Sequence, residues 1–162
     1  MKTLLLVACL AFLQATQAQT KQQKDSLRAA RVADMVNSQD FDFKAQTAIP
    51  MGGQTRHLSL DYYDLAVSKD TIVAYLPYYG RAYSAPPPGQ SGIQFTSTNF
   101  VYVPSPDKKG GWNISIKPKD VSDVSQMNLY ISANGYATLQ VVSISRQSIS
   151  FNGVAGKRKK GK

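Results

Sequence analysis

The sequence predicts a mainly β protein, an antiparallel β-sandwich or partly closed barrel of about eight strands that follows one N-terminal helix. Apolar and polar residues alternate along most of the chain after residue 39, as expected for half-buried strands. Glycine, proline, asparagine and aspartate interrupt this alternation at short intervals, and no second helical pattern separates the predicted strands. We therefore expect a single β-rich domain over residues 39–155.

The helix is predicted over residues 19–38. Ala29, Val32, Ala33 and Val36 share one face at helical spacing, and the charged residues lie off that face. Because these apolar side chains are small, we expect the helix to dock only weakly against the β domain.

The first strands follow directly. Residues 41–49 predict a strand whose core-facing side chains are Phe41, Phe43, Ala45, Thr47 and Ile49. The next pattern, residues 58–67, changes phase after Tyr62, which is typical of a β-bulge. Residues 72–76 are apolar on both faces and therefore predict a central strand.

Later segments continue the β pattern. Residues 93–95, 100–103 and 112–116 predict strands, and Pro104 and Pro106 are expected to end the second of them. The dipeptide Asn134-Gly135 predicts a β-hairpin. A three-residue loop, with Gly135 left-handed, places apolar residues opposite each other on one face: Leu129 with Leu139, and Ile131 with Ala137. A short final strand with Ile149 and Phe151 is expected to end before Gly153.

Residues 1–18 have the pattern of a signal peptide. Lys2 precedes an apolar run over residues 4–13, and Thr16-Gln17-Ala18 supplies small residues for cleavage before Gln19. The run is too short for a membrane span, which needs roughly twenty residues. Lipidation at Cys9 is the less favoured alternative, because the apolar run continues beyond it. We expect an exported protein in the periplasm or at the cell surface.

Few residues suggest catalysis. Removal of Cys9 leaves no thiol nucleophile, and His57 is the one histidine. His57 and a nearby aspartate such as Asp61 could act as an acid–base pair in a hydrolase, although the histidine is expected on the surface. Neither a cofactor nor a metal is expected, because one histidine leaves only carboxylates to complete a zinc site. The aspartates around it, Asp40, Asp42 and Asp64, are expected to be solvated.

The formal net charge of +9 is concentrated at the chain ends. Lys2 belongs to the predicted signal and five cations lie in residues 157–162, which leaves +3 for the rest. Residues 156–162 are expected to form a disordered basic tail. Its run of Lys157, Arg158, Lys159 and Lys160 is a candidate site for acidic polysaccharide or anionic lipid, while specific nucleic-acid binding is not expected in an exported protein.

Residues 75–89, the tyrosine segment, are the strongest candidate for a binding surface. They contain four of the nine tyrosines, four of the eight prolines, and Arg81. In a purely structural role, Tyr75 would complete the core and residues 86–88 would form a stiff connection. In a binding role, Tyr78, Tyr79 and Tyr83 would stack on a ligand and Arg81 would contact an anionic or hydroxyl group. We expect Tyr75 to be buried and at least two of the other four residues to line one exposed groove, for a glycan, peptide or small molecule.

The same segment resembles a known family. The sequence Tyr75-Leu76-Pro77-Tyr78-Tyr79-Gly80-Arg81-Ala82-Tyr83 is similar to the hallmark of the secreted Bacteroidota proteins of domain of unknown function 4251. Residues 135–139, 145–150 and 152–153 resemble its C-terminal pattern, so the resemblance covers about residues 25–154. It implies a periplasmic or surface-associated protein with one β-rich domain after a signal sequence. It implies no activity.

Overall fold

The computed structural model describes residues 21–59, 62–84 and 92–158. The predicted signal peptide, Asp61 and residues 159–162 lie outside them. Within the described residues there is one helix, α1, at 21–38. The ten strands are β1 Phe41–Pro50, β2 Arg56–His57, β3 Asp64–Val67, β4 Ile72–Pro77, β5 Gly92–Ser97, β6 Phe100–Pro106, β7 Trp112–Pro118, β8 Val124–Ile131, β9 Tyr136–Ser143 and β10 Ile149–Lys157.

The strands form one antiparallel sheet that curves into a nearly closed barrel. Their order is β5-β4-β3-β1-β10-β9-β8-β7-β6, and the short β2 pairs with β1. The predicted fold class, mainly β with a barrel-like sheet after one helix, is confirmed. The two edge strands, β5 and β6, are consecutive in the chain. Asp120, after β7, fastens the turn between them, because its carboxylate accepts hydrogen bonds from Ser97 Oγ at 2.5 Å and Thr98 N at 2.8 Å.

Alternate side chains of nearly every strand fill the interior. The largest fully buried ones are Phe41, Phe43, Phe151, Leu65, Ile72, Leu76, Ile93, Ile114, Ile116, Met127, Leu129 and Ile131. Full burial of one such side chain stabilises the fold by about 1.5–3 kcal/mol. This interior is the core that a chain without disulfides requires.

A β-bulge in β1 corrects the predicted alternation. The register against β10 shifts between Ala45 and Thr47, so Ala48 points inward and the predicted core positions Thr47 and Ile49 do not. The single strand expected over residues 58–67, with a bulge after Tyr62, is wrong as well, because β2 ends at His57 and β3 begins only at Asp64. Gly153 faces the bulge, where an added Cβ would lie 1.9 Å from the carbonyl oxygen of Lys44. The close backbone approach explains the glycine.

Two strands extend beyond the residues predicted for them. β6 continues through Pro104 to Pro106, which an edge strand tolerates because one side of it needs no ladder hydrogen bonds. β10 continues through Gly153 to Lys157, so the first two residues of the predicted disordered tail belong to a strand.

The predicted hairpin between β8 and β9 is confirmed. Leu129 lies opposite Leu139 and Ile131 opposite Ala137. Gly135 has a φ of 86°, the left-handed conformation that the three-residue loop requires.

The helix α1 covers the end of the barrel where β1 begins and β10 finishes, here called the helix end. Val32, Met35 and Val36 are buried, whereas residues 21–28 are exposed. The Tyr102 hydroxyl of β6 donates a hydrogen bond to the Val36 carbonyl at 3.0 Å. Docking is thus limited to the last turns of the helix. In the part of the chain that the structure describes, no helix is long and apolar enough to cross a membrane.

Candidate functional site

The described part of the tyrosine segment crosses the barrel end opposite the helix, where β1 and β4 finish. Backbone pairing with the loop between β9 and β10 holds it there. Tyr83 N donates to the Ser145 carbonyl at 2.7 Å, and Gln147 N donates to the Arg81 carbonyl at 3.1 Å. Within the segment, Pro77 ends β4, since a proline lacks the N–H that continued pairing would use.

Arg146 lies beneath the segment as a buried charge, with only 6% of its surface exposed. Its Nε and Nη2 donate to Asp123 Oδ2 at 2.9 and 2.5 Å, and its Nη1 donates to the Gly92 carbonyl at 3.0 Å. Burial alone would raise the pKa of Asp123, but hydrogen bonds from Ser145 and Arg146, with the charge of Arg146, lower it below its usual value. Arg146, in the loop after β9, therefore connects this loop to Asp123 in the loop before β8 and to Gly92 at the start of β5.

The aromatic ring of Tyr78 packs against the Arg146 guanidinium. The Arg146 guanidinium lies 5.0 Å from the centre of the Tyr78 ring. The hydroxyl of Tyr78 lies 2.9 Å from the Arg81 carbonyl and 3.1 Å from that of Gln147, and shares its hydrogen between them. Burial raises the pKa of Tyr78 and keeps it neutral. Gly80 leaves room for this arrangement, because an added Cβ there would lie 2.6 Å from the hydroxyl oxygen. Tyr78 thus positions the segment.

Above Tyr78 lies an open cavity of about 590 Å³, here called the tyrosine cavity. Its lining comes from the turn after β1, from β2, from the tyrosine segment and from the β9–β10 loop: residues 50–54, Arg56, residues 78–81 and Gln147. The Arg56 guanidinium lies over the Tyr79 ring, 4.8 Å from its centre. The described lining holds two arginines and no carboxylate, so its electrostatic potential is positive.

The structure brings together three of the four predicted binding residues. Tyr78, Tyr79 and Arg81 line the tyrosine cavity, whereas Tyr83, with 71% of its surface exposed, is not in the lining. The expectation that Tyr75 is buried is wrong. Ile72, Ala74 and Leu76 of β4 face the core, so Tyr75 points outward, where its ring stacks on Tyr63 with centres 5.9 Å apart.

Sequence reasoning missed the residues that complete this site. Arg56 and Gln147 lie far from the tyrosine segment in the chain, and Arg146 carries no local signal of burial. The one available signal was the similarity of residues 145–150 to a family pattern. That similarity marked the loop as special without indicating what it contacts.

The predicted catalytic and metal candidates do not converge. His57 is exposed on β2 opposite Thr47 and lies outside the cavity lining. Asp64 is engaged by Lys44, whose Nζ lies 2.6 Å from its carboxylate. Burial raises the pKa of Asp42, and the opposing charges of Arg158 and Lys44 do not cancel that effect. Among the described residues, no group of His, Cys, Asp or Glu side chains could hold a metal ion.

The described part of the basic run lies against the body of the protein. Lys157 Nζ is 3.5 Å from Asp34 of α1, and Arg158 Nε is 3.8 Å from Asp42 of β1. Lys159 and Lys160 lie outside the described residues.

The fold and the tyrosine cavity define a class of protein: a small barrel-like β domain with an N-terminal helix at one end and an open basic cavity at the other. The model of one family, described as "Domain of unknown function (DUF4251)", matches residues 23–155, and the chain belongs to this family. The family resemblance of the sequence motifs is confirmed.

The solved structures include a similar fold. The crystal structure of a DUF4251 family protein from Bacteroides eggerthii DSM 20697, at 1.95 Å resolution, is similar with a TM-score of 0.61. The two sequences are 18% identical, and the similarity covers 84% of this chain and 91% of that one. No curated protein matches the chain.

Proposed function

We propose that this protein is an exported, non-enzymatic binding module whose ligand occupies the tyrosine cavity. The observation that carries the proposal is the convergence of Tyr79, Arg81 and Arg56 on one open cavity from separate parts of the chain. Export, to the periplasm or the cell surface, is supported by the signal-peptide pattern of residues 1–18.

The lining indicates the chemistry of the ligand. Arginine donates planar, paired hydrogen bonds that suit carboxylate and phosphate groups. Arg56 lies over one face of the half-buried Tyr79 ring, which also packs against the core, so the part of the ring that stays exposed is what an apolar face of a ligand can contact. An acidic sugar or a short acidic peptide satisfies both requirements, because each joins an anionic group to a flat or apolar surface.

Binding assays on matched variants test this proposal. Uronic-acid oligosaccharides, phosphorylated sugars, acidic peptides and neutral oligosaccharides of the same length would be titrated calorimetrically. We expect an acidic ligand to bind, and Arg81→Ala to weaken its binding at least about tenfold, the range for losing a hydrogen bond to a charged group. Tyr79→Ala should also weaken it.

Tyr83→Ala is the control for Tyr79→Ala, because Tyr83 belongs to the same segment but not to the cavity lining. Equal binding by wild type and the Arg81 and Tyr79 variants would contradict the assignment of this cavity. Substrate turnover that is lost in His57→Ala would instead favour the hydrolase alternative.

A further inference from the structure

A second cavity, of about 470 Å³, lies at the helix end of the barrel and is called the helix cavity here. Its described lining includes Val32 and Met35 of α1 and Ala155 of β10, which offer apolar surface. Val32 and Met35 are only 5% and 4% exposed, so they form a floor. Exposed cations from two parts of the chain, Arg28, Arg31 and Lys157, are also in the lining.

The helix and the C-terminal residues are the most basic parts of the sequence, and of the latter Lys157 lines this cavity. Residues 21–38 hold four lysines and arginines against two aspartates, and residues 157–162 hold five against none. Residues 39–156 between them hold nine against eight and are nearly neutral. The fold brings Lys157 to the helix, because Lys157 Nζ lies 3.5 Å from Asp34.

We propose that the helix cavity binds the acyl chain of an anionic lipid, with the headgroup held by the surrounding cations. An apolar floor inside a basic rim matches an amphiphile with a negative head. A single acyl chain alone binds weakly, and a cluster of lysines and arginines supplies the second contribution that stable attachment needs.

The ion pairs within the rim favour a lipid over a small free anion as the ligand. Asp25 lies 3.6 Å from Arg28 and Asp34 pairs with Lys157, so part of the positive charge is already balanced. Arg31 has no ion pair with any described residue, so its charge is available to a headgroup. A free phosphate would contact this rim alone, whereas an acyl chain would also fill the cavity beside Ala155 and the floor residues.

Three soluble probes distinguish the sources of binding: monomeric lauroyl lysophosphatidylglycerol, its zwitterionic lysophosphatidylcholine counterpart, and glycerol phosphate. We expect the anionic lipid to bind the purified protein at least about tenfold more tightly than either of the others, since only it satisfies both the floor and the rim. Raising the salt concentration should weaken its binding.

Variants test the two halves of the site separately. Replacing Arg28 and Arg31 together by alanine should weaken binding of the anionic lipid about fivefold for each charge. Lys117→Ala with Lys119→Ala removes two exposed charges at the end of β7, outside the helix cavity, and should leave binding unchanged. Ala155→Phe fills the cavity and should reduce binding to the level of glycerol phosphate, with Ala155→Leu as a smaller substitution if the first does not fold.

The proposal is overturned if none of the probes binds, or if glycerol phosphate binds as tightly as the anionic lipid. It is also overturned if folded Ala155 variants keep full lipid affinity. If the protein binds heparin or DNA and the Ala155 substitutions do not change that affinity, the basic residues bind polyanions and the cavity has no role in binding.

Discussion

Arg146 is a charged residue with only 6% of its surface exposed to solvent. Its contribution to the stability of the fold therefore depends on its interaction partners. Its guanidinium meets the Asp123 carboxylate, the Gly92 carbonyl and the Tyr78 ring. We therefore expect Arg146→Ala to lower the free energy of unfolding by about 3–5 kcal/mol, because it leaves a partly buried carboxylate unpaired. Urea denaturation would measure this loss.

Arg81→Ala is the control for that substitution, since the exposed Arg81 side chain should change stability by less than about 0.5 kcal/mol. Equal stability of the two variants would contradict the structural role assigned to Arg146. The contrast also separates the two arginines by function: one holds the tyrosine segment in place, and the other faces the cavity.

Asp120 gives the protein a defined response to acid. The hydrogen bond from Ser97, with further bonds from the Thr98 and Asn99 amides, lowers its pKa from 3.8 to about 2. The folded state therefore favours the ionised carboxylate. This contribution to stability is complete above the ordinary pKa of 3.8 and is lost as the pH falls from there toward about 2. Wild type should be more stable than Asp120→Asn at neutral pH, and the difference should disappear over that window.

Urea midpoints measured from pH 6 down to pH 2 would check this expectation. A stability difference that stays constant over the whole range would show that the ionised carboxylate does not fasten the β5–β6 turn.

At the scale of elements, Gly153 explains how β1 and β10 pair across the bulge. An added Cβ would lie 1.9 Å from the Lys44 carbonyl oxygen, and backbone on both strands would have to move. We expect Gly153→Ala to destabilise the protein by about 1–3 kcal/mol, the range for inserting atoms into a well-packed site. Thermal and urea unfolding would show it.

The same strand provides a matched control. Gly156→Ala adds the same methyl group where no atom lies within 4 Å, and should change stability by less than about 0.5 kcal/mol. Comparable losses in the two variants would contradict the role assigned to the close approach at the bulge.

The elements show how far the sequence could predict this fold. Periodicity and the Asn134-Gly135 turn were enough for most of the strands and for the β8–β9 register, because these signals are local. The bulge in β1 was not predictable, since an alternating pattern over residues 41–49 does not reveal that Gly153, more than a hundred residues away, permits a shift. The short strand β2 was missed for a similar reason: it depends on pairing with β1.

At the scale of the whole molecule, the two cavities give the barrel two different ends. The tyrosine cavity gathers residues from turns that lie far apart in the chain, and the helix cavity joins the first and last parts of the domain. The sequence supplied candidates for both ends, namely the tyrosine segment and the basic tail. It could not indicate that Arg56 and Gln147 complete one site, or that α1 completes the other, because those contacts arise only when the barrel closes.

The connection between the helix and the barrel decides whether the helix end is rigid. Val36 is fully buried, and its carbonyl accepts the hydrogen bond from Tyr102 of β6. Val36→Ala should cost about 2 kcal/mol, from the lost methyl groups and the cavity left behind. Leu27→Ala, at a position 53% exposed, should cost almost nothing.

Hydrogen exchange would show where the Val36→Ala loss occurs. Docking rests on the last turns of α1 alone, so we expect the helix to open as a local unit before the barrel does. Amides of residues 30–38 should then exchange faster in Val36→Ala while those of β7, β8 and β9 keep their protection. Faster exchange spread evenly over helix and strands would mean instead that the helix and the barrel unfold together, and that the helix cavity is as rigid as the core.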